Sequence, residues 1–572
     1  MNGVDEQREA ILNCTGHLLV TGGPGAGKTT VALHKALACI AEGKLQAGQR
    51  VLFLSFARAT VARIVEAARR ELSRDVLRLI DIDTYHGFAW RLIRSHSYLT
   101  NGQLPRLLPP ADIAALFADV PDEMHDQELE RLWREEGLIG FDLFPVEARR
   151  ILVECKRLGN IYSSKFPVII IDEFQDTSAE QYAMIRALSA SSQIIALADP
   201  DQRIYDFAGA DPKRIGEFVE VYQPEIVDLS GRNHRSGGTD IAQYGNDMLT
   251  GSNRGRSYDH VKVKGYALGK GRTSPEFALK AETIAAMRRL IANGDPWSLA
   301  ILVPTQAVML STARYLASTD DGLPTIVHQV HVDQEGPCLA AAIIAGLLER
   351  GTPQEVFERL LGQLRSHVRG RKGRRSNPSQ ADLGFAVSIS DPTQIGAIKK
   401  KDQRTTLEAC ARVANACAGL TLTGAPEDDW RRVVEVLRAE DESRIAKVAD
   451  DARFIRLLRR GSVLRDRLNE LWRQFGDYRG ARGAIELALA QLHMANNVEE
   501  VRGIHVMTLH KSKGKEYDEV ILFEGAYQGR YVRGISETDI AMAKLVLRVG
   551  VTRARTRSTI LTPTGNRRCV LL

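Results

Sequence analysis

Apolar residues in this chain follow two rhythms. Short runs such as Leu18 to Val20, Val51 to Phe56, Val168 to Ile171, Ile194 to Ala198 and Ile226 to Leu229 are nearly continuous and end at polar or glycine residues. That is the pattern of strands covered on both faces. Between them lie segments with helical spacing, so the amino-terminal part reads as the βα alternation of a parallel sheet. The stretch from about Ser97 to Cys155 breaks the alternation, being helical and rich in charge, and is predicted to be an insertion. A second alternating block opens at Ser298 to Val303, with Ile326 to Val332 as a further candidate strand. It resumes at Ile504 to Leu509, Val520 to Phe523 and Thr559 to Leu561, after a helical, basic region from about Glu335 to Glu499. The pattern predicts an α/β protein with two parallel sheets, each interrupted by a mainly helical insertion. The expected division is residues 1–96 with 156–240 around insertion 97–155, then 241–334 with 500–572 around insertion 335–499.

Composition refines this picture only in part. At 572 residues, 44% hydrophobic and 26% charged, the chain has the make-up of an ordinary globular protein with room for several domains. Its net charge of +6 is concentrated: between Leu361 and Arg404 there are 10 Lys/Arg against 3 Asp/Glu, which leaves the remainder near neutral. The run Arg369 to Arg375 either grips duplex phosphate or is a solvated loop. The seven cysteines are scattered without a C-x-x-C pair, which argues against a zinc site and for a reduced compartment. With Asp5 and Glu6 at the start and no apolar run near 18 residues, the expectation is a soluble cytoplasmic protein with no membrane partner.

The candidate chemistry starts after the first apolar run. Gly22-Gly23-Pro24-Gly25-Ala26-Gly27-Lys28-Thr29-Thr30 fits G-x-x-x-x-G-K-[ST] between a strand and an amphipathic helix. In such a loop the amides and helix N-terminus hold a β-phosphate, Lys28 neutralises β/γ oxygens and Thr29 ligates Mg²⁺. A glycine-rich strand-to-helix turn without a ligand is the plainer alternative. The loop alone implies a nucleoside triphosphate and no particular reaction. Asp172 and Glu173 follow the run Val168 to Ile171, at the sheet edge where such folds put their chemistry, although acidic pairs there are also common as solvated caps.

The next segments carry a resemblance. Asp172-Glu173-Phe174-Gln175-Asp176-Thr177-Ser178, followed by Asp199-Pro200-Asp201-Gln202-Arg203-Ile204-Tyr205-Asp206-Phe207-Ala208-Gly209, resembles motifs II and III of superfamily 1 UvrD/Rep/PcrA-like helicases. The resemblance runs from the amino end to motif VI, with only the insertions weakly matched. It implies two RecA-like P-loop NTPase domains, ATP and Mg²⁺ as ligands, and single-stranded DNA and single/double-strand junctions as partners. It further implies that Gln7 reads the adenine edge, that Asp172 joins Thr29 on the metal, and that Glu173 activates water. Gln202 and Arg235 would sense the γ-phosphate, His234 would stack on the base, Glu516 would face the ribose and Arg553 would be the arginine finger. Ser55, Phe56, Thr84, His86, Tyr205, Phe207 and His510 would line the strand path, with Tyr85 beside them. Aromatic faces there suit sequence-tolerant base stacking. Phe56 has the alternative of being a core residue, and arginine clusters in general are more often surface charge.

Several positions depart from the family. His234 stands for a usual Tyr, Phe207-Ala208 for Trp-Arg, Lys515 for an apolar residue and Arg548 for a common Tyr; none of these is expected to touch the hydrolytic set. Both insertions are shorter than those of housekeeping repair helicases, and the chain ends soon after motif VI. The expectation is a compact ATP-dependent 3′ to 5′ translocase and DNA helicase acting in DNA repair or phage defence. The alternative is a DNA-stimulated ATPase serving as regulatory subunit beside a nuclease partner, as in Gabija-type systems. RNA as the strand stays open.

Overall fold

The continuous apolar runs become strands of two parallel sheets, most of them inner, with Ile226 to Leu229 falling at an edge. The computed structural model describes residues 6–23, 25–56, 60–61, 64–66, 68, 73–199, 213–229, 238–294, 296–319, 322–373, 378–454, 463–494, 502–525, 529–532, 534, 536–565 and 569–572. Strands β1 (Leu18–Thr21), β2 (Val51–Ser55) and β3 (Ile80–Thr84) come first. The short pair β4 (Arg106–Leu107) and β5 (Leu138–Ile139) lies in the following helical stretch, and β6 (Val168–Ile171), β7 (Gln193–Ala198) and β8 (Glu225–Asp228) complete the first sheet. Its order is β3-β2-β6-β7-β1-β8, all parallel. Helix α1 (Glu6–Asn13) precedes β1 and helix α2 (Lys28–Ala41) follows it. Lys35, buried in the middle of α2, donates to the carbonyls of Leu12 and Cys14 and so ties the end of α1 to the helix that follows the glycine loop.

The second sheet draws on both sides of the long helical region. Strands β9 (Val261–Tyr266), β10 (Ser298–Val303) and β11 (Gln329–Val330) precede that region, and β12 (Gly503–Thr508), β13 (Tyr517–Phe523) and β14 (Ala554–Pro563) follow it. The order β11-β12-β10-β13-β14-β9 interleaves them, so each early strand pairs only with late ones. Both sheets belong to one compact unit, Met1–Thr100 with Pro145–His331 and Asn496–Leu572.

The second unit, Asn101–Phe144 with Val332–Ala495, joins the two insertions. Its axis is the helix Glu335–Leu348, apolar on every side and buried nearly throughout, as a helix without a polar face must be. The helices Pro353–Gly370, Lys401–Ala418, Pro426–Arg438 and Ser443–Ala452 share its core, and Ala111 from the earlier segment enters the same cluster. Arg369 was expected on an exposed basic run. Instead it is buried, donating to the carbonyls of Ala115 and Leu116 and pairing with Asp119. Arg371 pairs with Asp451, while residues 374–377 lie outside those described. These two arginines of the run are therefore internal clasps, because a carboxylate and carbonyls within reach bind a guanidinium more firmly than solvent does. No helix among the described residues is long and apolar enough to cross a membrane.

Candidate functional site

All strands of the first sheet run the same way, so the carboxyl ends of β1, β6 and β7 open on one edge. From β1 the chain turns through Gly25 and Gly27 at φ 77° and 83°, the left-handed region that glycine enters without a Cβ clash. Gly27 caps α2, whose first residue is Lys28. The Lys28 ammonium donates back to the carbonyls of Gly22 (2.6 Å) and Gly23 (3.2 Å), so the cation is held over the start of the loop. Thr29 is half-buried in the first turn and Thr30 is exposed; Pro24 lies outside the described residues.

After β6, Asp172 is 4% exposed, and its amide donates to the Leu54 carbonyl of the neighbouring strand. Glu173 has φ 54° and ψ 42°, a left-handed conformation that costs a non-glycine residue on the order of 1–3 kcal/mol. Gln175 holds that turn from both ends: its Nε2 donates to Glu173 Oε2 at 2.6 Å, and its Oε1 accepts from the Asp199 amide at the end of β7. The strain is thus balanced locally, and it aims the carboxylate of Glu173. Burial pushes this carboxyl up, but Lys513, Lys28, Gln175 and Arg553 outweigh it and hold it below the usual carboxylate range. Glu173 is therefore a carboxylate at neutral pH.

The cations that do this come from both sheets. Lys28 belongs to the first, whereas Lys513 follows β12 and Arg553 sits at the end of the helix Glu537–Val551, just before β14. Lys513 forms a buried ion pair with Asp176. Arg553, 2% exposed, donates through Nε to the Val549 carbonyl. Arg548, also 2% exposed, lies 3.6 Å from Asp199. Burial, with Glu173 and Asp199 nearby, raises the Asp176 carboxyl well above its ordinary value despite Lys513. At the seam between the sheets, Asp176 and Asp199 of the first meet Lys513 and Arg548 of the second, and Glu173 is acted on from that side by Lys513 and Arg553. Among the family departures, Arg548 reaches into the seam and meets Asp199, a residue outside the expected hydrolytic set.

The other expected residues are placed less uniformly. Gln7 is exposed on α1, and Glu516 lies 3.5 Å from Arg555. Phe56, His86 and His510 are half-buried. Tyr85, expected on the strand path, is 1% exposed with its hydroxyl bonded to Thr177, so its ring offers no face to a base. The Thr84 hydroxyl caps the helix Tyr85–His96 by accepting from the Gly87 amide, and Ser55 is fully buried at the end of β2. Tyr85 and Thr84 thus spend their side chains on the fold, while the Ser55 hydroxyl is buried without a hydrogen-bond partner among the described residues. Gln202, Tyr205, Phe207, His234 and Arg235 lie outside the described residues. Sequence reading missed Gln175, Asp176, Asp199, Lys513 and Arg548 as members of the site. All five stand in or beside motifs; for Asp176 with Lys513 and Asp199 with Arg548 the signal was charge complementarity between segments far apart in the chain, whereas the uncharged Gln175 carried no such signal.

A nucleoside triphosphate with Mg²⁺ fits this donor set: a hydroxyl and a carboxylate oxygen suit a small hard cation that keeps phosphate and water as its other ligands. Among the described residues no group of three or more His, Cys, Asp or Glu could hold a metal by itself.

Comparison with known proteins agrees. Residues 4–125 and 119–223 match the UvrD/REP helicase N-terminal domain. DNA helicase II of Haemophilus influenzae is 27% identical over 283 residues, 41% of this chain and 38% of that protein. DNA helicase II of Escherichia coli is 24% identical over 276 residues, again 38% of its length. The match thus spans well under half of these relatives, whereas DNA helicase II of Rickettsia typhi aligns at 22% identity across 96% of this chain and 90% of its own. With a glycine loop on β1, an acidic turn on β6 and a second parallel sheet facing them, the chain is similar to UvrD/Rep-like helicases, and its residues 4–223 match the N-terminal domain of that family.

Proposed function

We propose that this chain is an ATP- and Mg²⁺-dependent 3′ to 5′ translocase on single-stranded DNA that separates strands at junctions, a DNA helicase of the UvrD type. The observation that carries the reading is the seam: Glu173, strained and ionised, feels Lys28 of its own sheet together with Lys513 and Arg553 of the other. Glu173 would orient and deprotonate the attacking water, Lys28 would neutralise the β/γ oxygens, and Arg553 would meet charge developing on the transferred phosphoryl. Thr29 and Asp172 would hold the Mg²⁺, which when bound supplies positive charge to the phosphate oxygens. Because acid and finger come from different sheets, hydrolysis requires both to be in register, and the loss of the γ-phosphate loosens them; this is the stroke that moves a bound strand. The direction of travel rests on the family resemblance, as do the division into two motor lobes, 1–96 with 156–240 and 241–334 with 500–572, and the roles of Gln7, Gln202, His234, Arg235 and Glu516.

The test pairs two assays on the full chain. ATP turnover should rise on adding single-stranded DNA, and a duplex with a 3′ tail should be displaced while one with a 5′ tail is not. Turnover with no strand release on either substrate would reject the helicase reading, and turnover indifferent to DNA would reject the motor.

A further inference from the structure

Position 548, where the family usually carries tyrosine, brings a second arginine into the cleft. Arg548 leaves the helix Glu537–Val551 where it crosses the helix Ile241–Thr250. A Cβ at Gly245 would lie 3.3 Å from Arg548 Cγ and 3.2 Å from Thr552 Cγ2, so glycine there lets the arginine stem pass. Beyond that crossing, Nε and Nη2 donate to Asn246 Oδ1 at 3.3 and 3.1 Å. The guanidinium then reaches the first sheet, with Nη1 at 3.6 Å from Asp199 Oδ1, and a Cβ on Gly23 would stand 3.9 Å from Nη2. Gly23 is also one of the two carbonyls that hold the Lys28 ammonium, so Arg548 approaches the loop at the end where β/γ oxygens would lie.

Two grips on Arg548 among the described residues differ in kind. Asn246 orients the planar fork with hydrogen bonds from its own side of the seam. Asp199 attracts it at a separation beyond hydrogen-bond range, an ion pair that a better anion can displace. A terminal phosphate offers more charge and more acceptor oxygens than one carboxylate, and a guanidinium matches that geometry with paired donors. We propose that Arg548 is a further phosphate-binding residue of the nucleotide cleft, supplied by the second sheet, which exchanges Asp199 for the terminal phosphate of a nucleoside triphosphate and so distinguishes triphosphate from diphosphate. This deepens the hydrolase reading and rests on it. Asp199 is the first residue of the Asp199 to Gly209 motif, so the exchange acts on the carboxylate with which that motif begins.

The measurement is equilibrium binding of a fluorescent, non-hydrolysable triphosphate analogue and of fluorescent ADP, with Mg²⁺, to the full chain. Arg548→Met keeps the stem beside Gly245 but removes the charge. It should weaken triphosphate binding about tenfold, the loss of roughly one charge-assisted contact, and ADP binding by less than about twofold. Arg548→Lys should restore most of the difference. Asp199→Asn should tighten triphosphate binding, and the gain should vanish in the Arg548→Met background. Equal effects of Arg548→Met on both nucleotides, or none on either, would overturn the proposal. If circular dichroism shows Arg548→Met to be unfolded, Asp199→Asn decides alone: unchanged or weaker triphosphate binding overturns it. Failure of the hydrolase reading looks different, since then the wild-type chain binds no triphosphate or binds it equally well after Lys28→Ala.

Discussion

Replacing Lys513 by methionine tests whether the seam is held by charge. The ammonium is 3% exposed and its partner Asp176 is fully buried, with Glu173 and Asp199 acting on it through space. Removing one member of a buried pair costs about 3–5 kcal/mol, because the survivor is left without compensation in a poorly solvated place. The cost depends on pH in a definite direction. The Asp176 carboxyl already titrates above its ordinary value in the folded chain, and losing Lys513 raises it further. Above the unfolded value near pH 4 the folded state then holds a proton that the unfolded chain has released, so stability falls as pH rises until the folded carboxyl ionises. Lys513→Met should therefore be least destabilised near pH 5 and most destabilised near pH 8 in urea unfolding followed by circular dichroism. The double variant Lys513→Met with Asp176→Asn should regain much of the loss, giving a coupling of at least about 2 kcal/mol in the cycle. Additive losses, or a Lys513→Met penalty that grows toward low pH, would refute the pairing of the two sheets through this bridge.

The remaining predictions concern turnover and the two anchors. Lys28→Ala, Glu173→Gln and Arg553→Ala should each lower DNA-stimulated phosphate release by about 10³-fold or more in steady-state assays, with circular dichroism unchanged for the first two. Lys35→Met leaves the Leu12 and Cys14 carbonyls without their charged donor and should cost about 2–4 kcal/mol in urea unfolding, with weaker ATP binding because α1 carries Gln7. Arg369→Ala strands the Asp119 carboxylate and the carbonyls of Ala115 and Leu116. Because Asp119 is half-exposed, the loss should be about 1–3 kcal/mol in calorimetry, set mainly by the carbonyls, and the salt dependence of DNA binding should be unchanged, since a buried guanidinium releases no counterions.

What was legible in the sequence follows from what each element buries. Strands β1, β2, β6, β7, β10, β12 and β13 lie inside their sheets, and their unbroken apolar runs announce them. Of the four edge strands in the two large sheets, β8 and β11 were legible and β3 and β9 were not. In β3, Ile-Asp-Ile-Asp-Thr, Asp81 and Asp83 are paired with Arg91, and in β9 the residues Lys262 and Lys264 leave too little apolar pattern to register. Ile326 to Val332 is a strand only at Gln329–Val330, because it sits at the sheet edge with a single neighbour. The acidic pair Asp172 and Glu173 and the loop residue Lys28 were legible through local motifs. Lys513 with Asp176 and Arg548 with Asp199 were not, since each pair joins residues hundreds of positions apart and neither partner is unusual by itself. Tyr85, Thr84 and Ser55 show the converse: a motif position says which segment lies near a path, and only packing says whether the side chain reaches it.

The interleaving of the second sheet sets an order of events during synthesis. Strands β9, β10 and β11 leave the ribosome early, yet none of them pairs with another; every ladder they join awaits β12, β13 or β14. For the time needed to translate the intervening helical region, tens of seconds or less at about 5–20 residues per second, the apolar β10 segment Ser298–Val303 has no edge to dock on. The nascent polypeptide therefore carries an adhesive hexamer through that interval, and a chaperone that shields short apolar stretches should raise its yield more than it raises that of a sheet whose strands pair in the order they emerge.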